Sequence, residues 1–238
     1  AFDEKGLYVE GHGYARYGAS PRLLVFGWQL REAGRNEFFK HPKFRRMPEA
    51  LLQKLIPGMK LLDTRGDNDY APPGLECLFF ASVNKDPVAM WLWQKVKAES
   101  PEFPLAELVS AQGGLPEAKV DFSKLRPGEF FPQREFALWR TGWGPDDVLF
   151  SIEAGPTPRG PNGRALTHAQ SDKGQFCLYA FGELWAIDSG YANDSHLTNS
   201  RSHSFAHSLV RIDGKGQMLP RLYAKVERYY DTAGFGFA

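Results

Sequence analysis

The hydrophobic period of this chain changes once, near residue 116, and that change limits the folds open to it. Before it, apolar residues recur at helical spacing between Pro and Gly stops. Ser20-Pro21 opens one helix, with Leu23, Leu24, Phe26, Gly27 and Leu30 following and Gly34 as its stop. A second helix is predicted from Pro48 to Ile56, ended by Pro57-Gly58. A third covers Pro87 to Ala98, and a short fourth Pro104 to Ala111. After 116 the pattern is that of strands. Phe136–Thr141 and Val148–Ile152 flank the turn Gly142–Asp147. Phe176–Phe181 and Leu184–Asp188 form a second hairpin across Gly182-Glu183, and Leu209–Asp213 is a further strand. Short strands with Gly-rich turns predict an antiparallel β-sandwich. Phe176–Phe181, apolar on both faces, would lie inside it. Helices first and strands later is an α+β order, with segregated layers or domains. The boundary is expected between Gly113 and Val120, giving units 1–115 and 116–238.

Charge narrows the partners. Lys and Arg total 29 against 28 Asp and Glu, which argues against nucleic acid as the main partner but leaves room for local basic patches facing an acidic ligand. No stretch is long and apolar enough to cross a membrane, and the polar start shows no signal peptide. The first residue is not Met, and Tyr229–Ala238 reads as a strand with no closing turn. An internal piece of a longer protein is the expected reading, so the missing leader says nothing of secretion. Cys77 and Cys177 sit in apolar runs and are expected to be buried free thiols.

Chemistry gathers in two polar loops, Gly155–Thr167 and Ser189–Ala206. Loops of such length in a compact domain are functional or disordered. His168, His196, His203 and His207 lie in or beside them. His168 and Gln170 are two apart at a strand opening and would share a face. Asp188 ends the next strand, and His207 opens a later one. Asp and His suit zinc, while the carbonyl oxygen of Gln170 suits calcium. The competing reading is a hydrogen-bonded network bracing the loops, in which Asp188 caps a turn and His207 donates to a carbonyl. Near the start, Glu10-Gly11-His12-Gly13-Tyr14-Ala15-Arg16-Tyr17-Gly18 precedes the first helix. Tyr14 and Tyr17 would face one way if helical. Such a pair either packs or, with a His or Arg against a hydroxyl, serves as acid or base.

Together these segments resemble the heparinase II/III-like polysaccharide lyases. The motifs are Glu10 to Gly18, Gly66-Asp67, Arg140-Thr141-Gly142-Trp143, His168-Ala-Gln170-Ser-Asp172 with Phe176, Ile187-Asp188-Ser-Gly190, and Ala206-His207-Ser208 with Val210, Asp213 and Gly214. Two departures stand out: Gln170 replaces the second His of its motif, a metal ligand in the family, and Ser208 replaces an Asn. The resemblance implies the late helices of an incomplete (α/α) toroid followed by a β-sandwich, and β-elimination on a uronic-acid polysaccharide such as a glycosaminoglycan or alginate. It implies Tyr14 as acid/base with His168 as its partner. Tyr17, Arg140, Arg201 and His203 are expected at the substrate. Gln170, Asp188 and His207 are expected around a structural or positioning zinc or calcium ion. It further implies a periplasmic or extracellular setting, and oligomers remain open. The alternatives are a uronate C5 epimerase, a non-catalytic polysaccharide-binding module, and a cupin-like metal oxygenase; the Glu10–Gly18 segment argues against the last.

Overall fold

The computed structural model describes residues 2–16, 20–66, 68–96, 109, 114–155, 170–191, 203–217, 224–232 and 235–237. Among these, every α-helix precedes every strand. The helices are α1 (His12–Tyr14), α2 (Ser20–Glu32), α3 (Glu37–Lys40), α4 (Pro42–Arg45), α5 (Met47–Lys54), α6 (Leu75–Asn84) and α7 (Pro87–Val96). The strands are β1 (Gly128–Phe131), β2 (Phe136–Arg140), β3 (Val148–Glu153), β4 (Gln175–Ala180), β5 (Glu183–Ala186), β6 (Tyr230–Thr232) and β7 (Phe235–Phe237). The α+β order holds.

The helical stops behave as their chemistry requires. Gly34 takes φ 81° past the end of α2, and the Arg35 N–H reaches back to the Leu30 carbonyl at 2.8 Å, which satisfies the last turn. Helix α6 is the element that periodicity misses. Cys77, Leu78, Phe79, Phe80 and Ala81 have no exposed surface, so α6 is buried on every side and shows no amphipathic stripe. Trp28, Phe39, Leu52 and Leu92 pack around it. The expected helix at Pro104–Ala111 lies outside the described residues, apart from Val109.

Strands β1 to β5 form one antiparallel meander in chain order. Its inner face is set by register. Arg140 lies opposite Leu149, which faces Tyr179, and Leu138 lies opposite Ser151, which faces Cys177. This face packs on Leu7, Ala50 and Ile56. Helix α5 thus serves two cores, giving Leu51 and Leu52 to the helical one and Ala50 to the sheet. Burying each of the two leucines contributes roughly 1.5–3 kcal/mol. The outer face carries an aromatic row, Trp139, Phe150 and Phe176, with centroids 6.0 and 6.2 Å apart, and Tyr229 stacks on Trp139 at 5.3 Å. β4 is therefore apolar on both faces and interior, as its sequence suggests.

Three expectations change. The second hairpin turns at Phe181-Gly182, one residue earlier than predicted; both have positive φ, as a tight two-residue turn needs. Leu209–Asp213 is not a strand. Val210 and Ile212 are exposed, and only an isolated bridge joins Ile212 to Lys215. β1 was not foreseen, because Gly128-Glu-Phe-Phe131 is short and lacks alternation. Among the described residues the second sheet of a sandwich is not present; the remaining strands form the ribbon β6–β7.

Candidate active site

The segment that starts at Asp63 lies between the helices and the sheet, with Asp63, Thr64, Arg65 and Asn68 buried. Arg65 is 3% exposed and Asp63 fully buried. Arg65 Nη1 donates to Asp63 Oδ1 at 2.7 Å, to the Thr64 carbonyl at 2.6 Å and to Cys177 Sγ at 2.8 Å. Its Nη2 donates to Ser151 Oγ. Ser151 donates to the other Asp63 oxygen at 2.8 Å, and Tyr179 OH donates to Asp63 Oδ1 at 2.6 Å. Burial opposes the Arg65 charge, but Asp63, Cys177, Tyr179 and Asp188 outweigh it and hold the guanidinium charged beyond its ordinary range. Burial also pushes the Tyr179 and Tyr70 hydroxyls up, so they stay protonated as donors.

This network continues to Asp188. Tyr70 OH is 3.2 Å from Tyr179 OH and accepts from the Asp188 N–H at 3.2 Å. The Asp188 carboxylate accepts from the Gly66 N–H at 3.2 Å and from the Gly190 N–H at 2.7 Å. His207 Nδ1 stands 3.6 Å from Asp188 Oδ2, with both side chains fully buried. The stretch leading to His207 is fixed by Ser204, whose hydroxyl donates to the Ser171 carbonyl at 2.8 Å, and by Ser208, whose carbonyl accepts from the Phe176 N–H at 2.9 Å. Ser208 Oγ also donates to the Ile187 carbonyl at 3.1 Å, so the residue replacing the family's Asn still bridges the two segments.

On its other side the same loop holds Tyr14. Asn68 Oδ1 accepts from the Tyr14 N–H at 3.2 Å, while Asn68 Nδ2 donates to the carbonyls of Glu10 at 3.1 Å and Arg65 at 2.7 Å. Gly11 and Gly13 make this approach possible. A Cβ on Gly11 would sit 2.3 Å from Asn68 Nδ2, and one on Gly13 would sit 2.6 Å from Asn68 Oδ1. Below the turn, His12 is buried against Glu76 at 3.8 Å and the Pro72 carbonyl at 3.2 Å. Burial lowers its affinity for a proton, with Glu76 pulling the other way.

The expected site residues fall into three groups. The Tyr14 backbone is held by Asn68 and the Asp188 carboxylate by Gly66, with His207 beside Asp188. His168, Tyr17 and Arg201, with Asp67 and His196, lie outside the described residues. Arg140 is placed elsewhere. It is 5% exposed, and its Nη2 donates to the carbonyls of Gln53 and, at 3.0 Å, Leu55, with Trp143 stacked on it at 4.6 Å. That ties the end of α5 to the sheet and leaves Arg140 no open surface for a substrate. His203 stacks on the exposed ring of Phe205 at 5.8 Å. Gln170 is buried, and its Nε2 donates to the Gly190 carbonyl at 3.4 Å. Sequence reasoning missed Asp63, Arg65, Asn68, Tyr70, Ser151 and Tyr179. The signal available was the polar run Asp63-Thr-Arg-Gly66 between apolar stretches, which is costly to bury without partners.

The same geometry bears on the expected metal ligands. Among the described residues neither ring nitrogen of His207 has a hydrogen-bond partner, and no carbonyl acceptor for it is found there. Asp188 does cap a turn, through Gly190. An unpaired imidazole beside a carboxylate is fitting donor chemistry for a cation. Among the described residues, however, no three His, Cys, Asp or Glu side chains converge as a metal site.

Residues 123–232 match the family model described as heparinase II/III-like, C-terminal. The match covers just under half of the chain, and that stretch is similar to the family. Two solved structures share the fold. A heparinase III gene product aligns at TM-score 0.62 and 16% identity, over 99% of this chain and 34% of its own. A crystal structure of heparinase III aligns at TM-score 0.54 and 16% identity, over 96% and 35% respectively. The chain thus spans about a third of the length of those structures. No curated protein matches it. The heparinase-like region contains Asp188 and His207, whereas Tyr14 and the loop 63–70 lie before it. Among the described residues, no helix is long and apolar enough to cross a membrane.

Lys54 supplies a test of this buried charge. It is 5% exposed at the end of α5, and burial, against the pull of Asp63, lowers its pKa to about 8. The unfolded chain therefore holds one more proton than the folded one between about pH 8 and the ordinary lysine value near 10.5. Stability carried by Lys54 should rise with pH through that window. Tyr70, Tyr179 and Cys177, all raised, pull the other way. Urea unfolding at pH 7.5 and pH 10 should show the parent gaining relative to Lys54→Met, and parallel changes in the two proteins would contradict the assignment.

Proposed function

We propose that this chain is part of a polysaccharide lyase that cleaves uronic-acid-containing polymers by β-elimination. One observation carries the proposal. The turn bearing Tyr14 and the buried pair Asp188–His207 are held by opposite sides of one loop, through Asn68 and Gly66. An acid–imidazole pair and a tyrosine-bearing turn anchored on one loop supply parts for proton transfer.

The reaction needs the C5 proton removed while charge on the C6 carboxylate is stabilised, and an acid to protonate the departing O4. Tyr14 is proposed as the acid/base, with His168 as its partner. Tyr17, Arg201 and His203 are proposed at the substrate, where an Arg suits bidentate contact with carboxylate or sulfate. The substrate is an acidic polysaccharide, and its size places the reaction in the periplasm or outside the cell. With the protein incubated on a panel of uronate polysaccharides, absorbance of the unsaturated uronate product should grow on at least one. Tyr14→Phe and His168→Ala should each lose most of that rate. Binding without absorbance growth on any polymer would overturn the lyase reading and favour an epimerase or a binding module.

A divalent ion, zinc or calcium, is proposed at Asp188 and His207 with the carbonyl oxygen of Gln170, where it would supply positive charge that positions the loop. Elemental analysis after dialysis against each metal should find stoichiometric ion in the parent and little in His207→Ala. A parent that retains none would remove the ion from the account.

A further inference from the structure

A second feature lies in the helices and belongs to none of the motifs above. Within Lys40–Arg46 stand Lys40, His41, Lys43, Arg45 and Arg46, with no carboxylate among them. The whole chain carries a net charge of only +1, so this excess is local. Lys40, His41, Arg45 and Arg46 are exposed, and Lys43 is half-buried.

The patch is built rather than loose. Its apolar residues turn inward: Phe44 packs on Phe2 at 4.8 Å and on Phe38 at 4.7 Å, and Phe39 is fully buried. Two cations are tied to the N-terminal loop, Lys43 Nζ to the Phe2 carbonyl at 3.1 Å and Arg46 Nη1 to the Glu4 carbonyl at 3.4 Å. That loop is itself seated on the start of α5, where a Cβ on Gly6 would come 2.6 Å from the Met47 nitrogen. The corner between α3 and α4 is set by Pro42 and by the His41 ring, which accepts from the Lys43 N–H at 3.3 Å. Asp86 is within electrostatic reach of Arg45, Glu37 pairs with Arg35 at 3.8 Å, Glu49 and Glu129 share a surface recess with Arg46, and Glu4 is the residue whose carbonyl Arg46 binds. Lys40 and Arg45 have no ion pair among the described residues within bonding distance.

From this we infer that the α3–α4 corner is a surface binding site for a linear anionic polysaccharide, separate from the site at Asp188 and His207. Pre-set cations reduce the ordering cost of binding a flexible polyanion, and dense Lys/Arg runs of this length suit heparin-like chains. Nucleic acid fits less well. Helices of four residues are too short to fill a groove. The choice of polysaccharide over other polyanions rests on the lyase reading; the site itself does not.

Titrations of the 238-residue chain with heparin, alginate, neutral dextran and a short DNA duplex test the inference. A Tyr14→Phe background keeps the polymer uncut, so the result does not depend on turnover. Heparin or alginate should bind, and dextran should not. Lys40→Gln with Arg45→Gln should raise the Kd about tenfold and flatten the salt dependence by about two counterions. Lys43→Gln with Arg46→Gln should add to the loss, with circular dichroism confirming that the fold is kept. Loss for heparin alone would assign the site to sulfate, and loss for both polymers to anionic sugars generally. Unchanged affinity and salt slope in the first pair, or DNA bound as tightly as the polysaccharides, would overturn the inference.

Discussion

The buried contact between Asp63 and Arg65 is the interaction on which the rest of this structure depends. Two charges withdrawn from water are costly unless each is fully paired and hydrogen-bonded. Here the pairing comes from both halves of the chain. Arg65 reaches Cys177 and Ser151 on the sheet, and Asp63 receives Tyr179 and Ser151 from it. The helical part therefore cannot satisfy its own loop without the sheet. Apolar packing at Leu7, Ala50 and Ile56 brings the two together, and the polar network fixes their register.

That register reaches the site. Tyr179 binds Asp63 with its hydroxyl and also meets Tyr70, which in turn holds the Asp188 backbone. Gly66, in the same loop, holds the Asp188 carboxylate. Asn68, two residues on, holds the Tyr14 turn. A loop with charged residues at its base and a glycine and an asparagine at its rim thus converts a helix–sheet contact into the placement of the Asp188 carboxylate and the Tyr14 turn. The basic corner at Lys40–Arg46 is fixed by different means, aromatic packing and backbone carbonyls, and stands apart from this path.

Much of the architecture was legible in the sequence where local chemistry decides it. Pro and Gly punctuated α2, α5 and α7, and alternation with Gly turns marked β2 to β5. Helix α6 was not legible, because a helix buried all round has no polar face to set its period. The Leu209–Asp213 segment misled for the opposite reason: its apolar residues imply burial, yet Val210 and Ile212 are exposed. At the site, motif residues such as Asp188 and His207 could be named, since their types carry chemistry. Arg140 could be named but not placed, because a guanidinium serves helix ends as readily as carboxylates. Asn68 and Tyr179 were silent because the contacts that give them their roles, with Tyr14 and Asp63, lie more than fifty residues away in the chain.

The central claim is that the Asp63 network, through Tyr179 and Tyr70, holds the segment bearing Asp188. Amide hydrogen exchange in Tyr179→Phe, which removes one hydroxyl and keeps the ring, tests it most directly. The account predicts faster exchange at the Asp188 and Gly66 amides, with Leu78 to Ala81 in α6 unchanged. Unaltered protection at Asp188 and Gly66 in the folded variant would show that the site is held by something else.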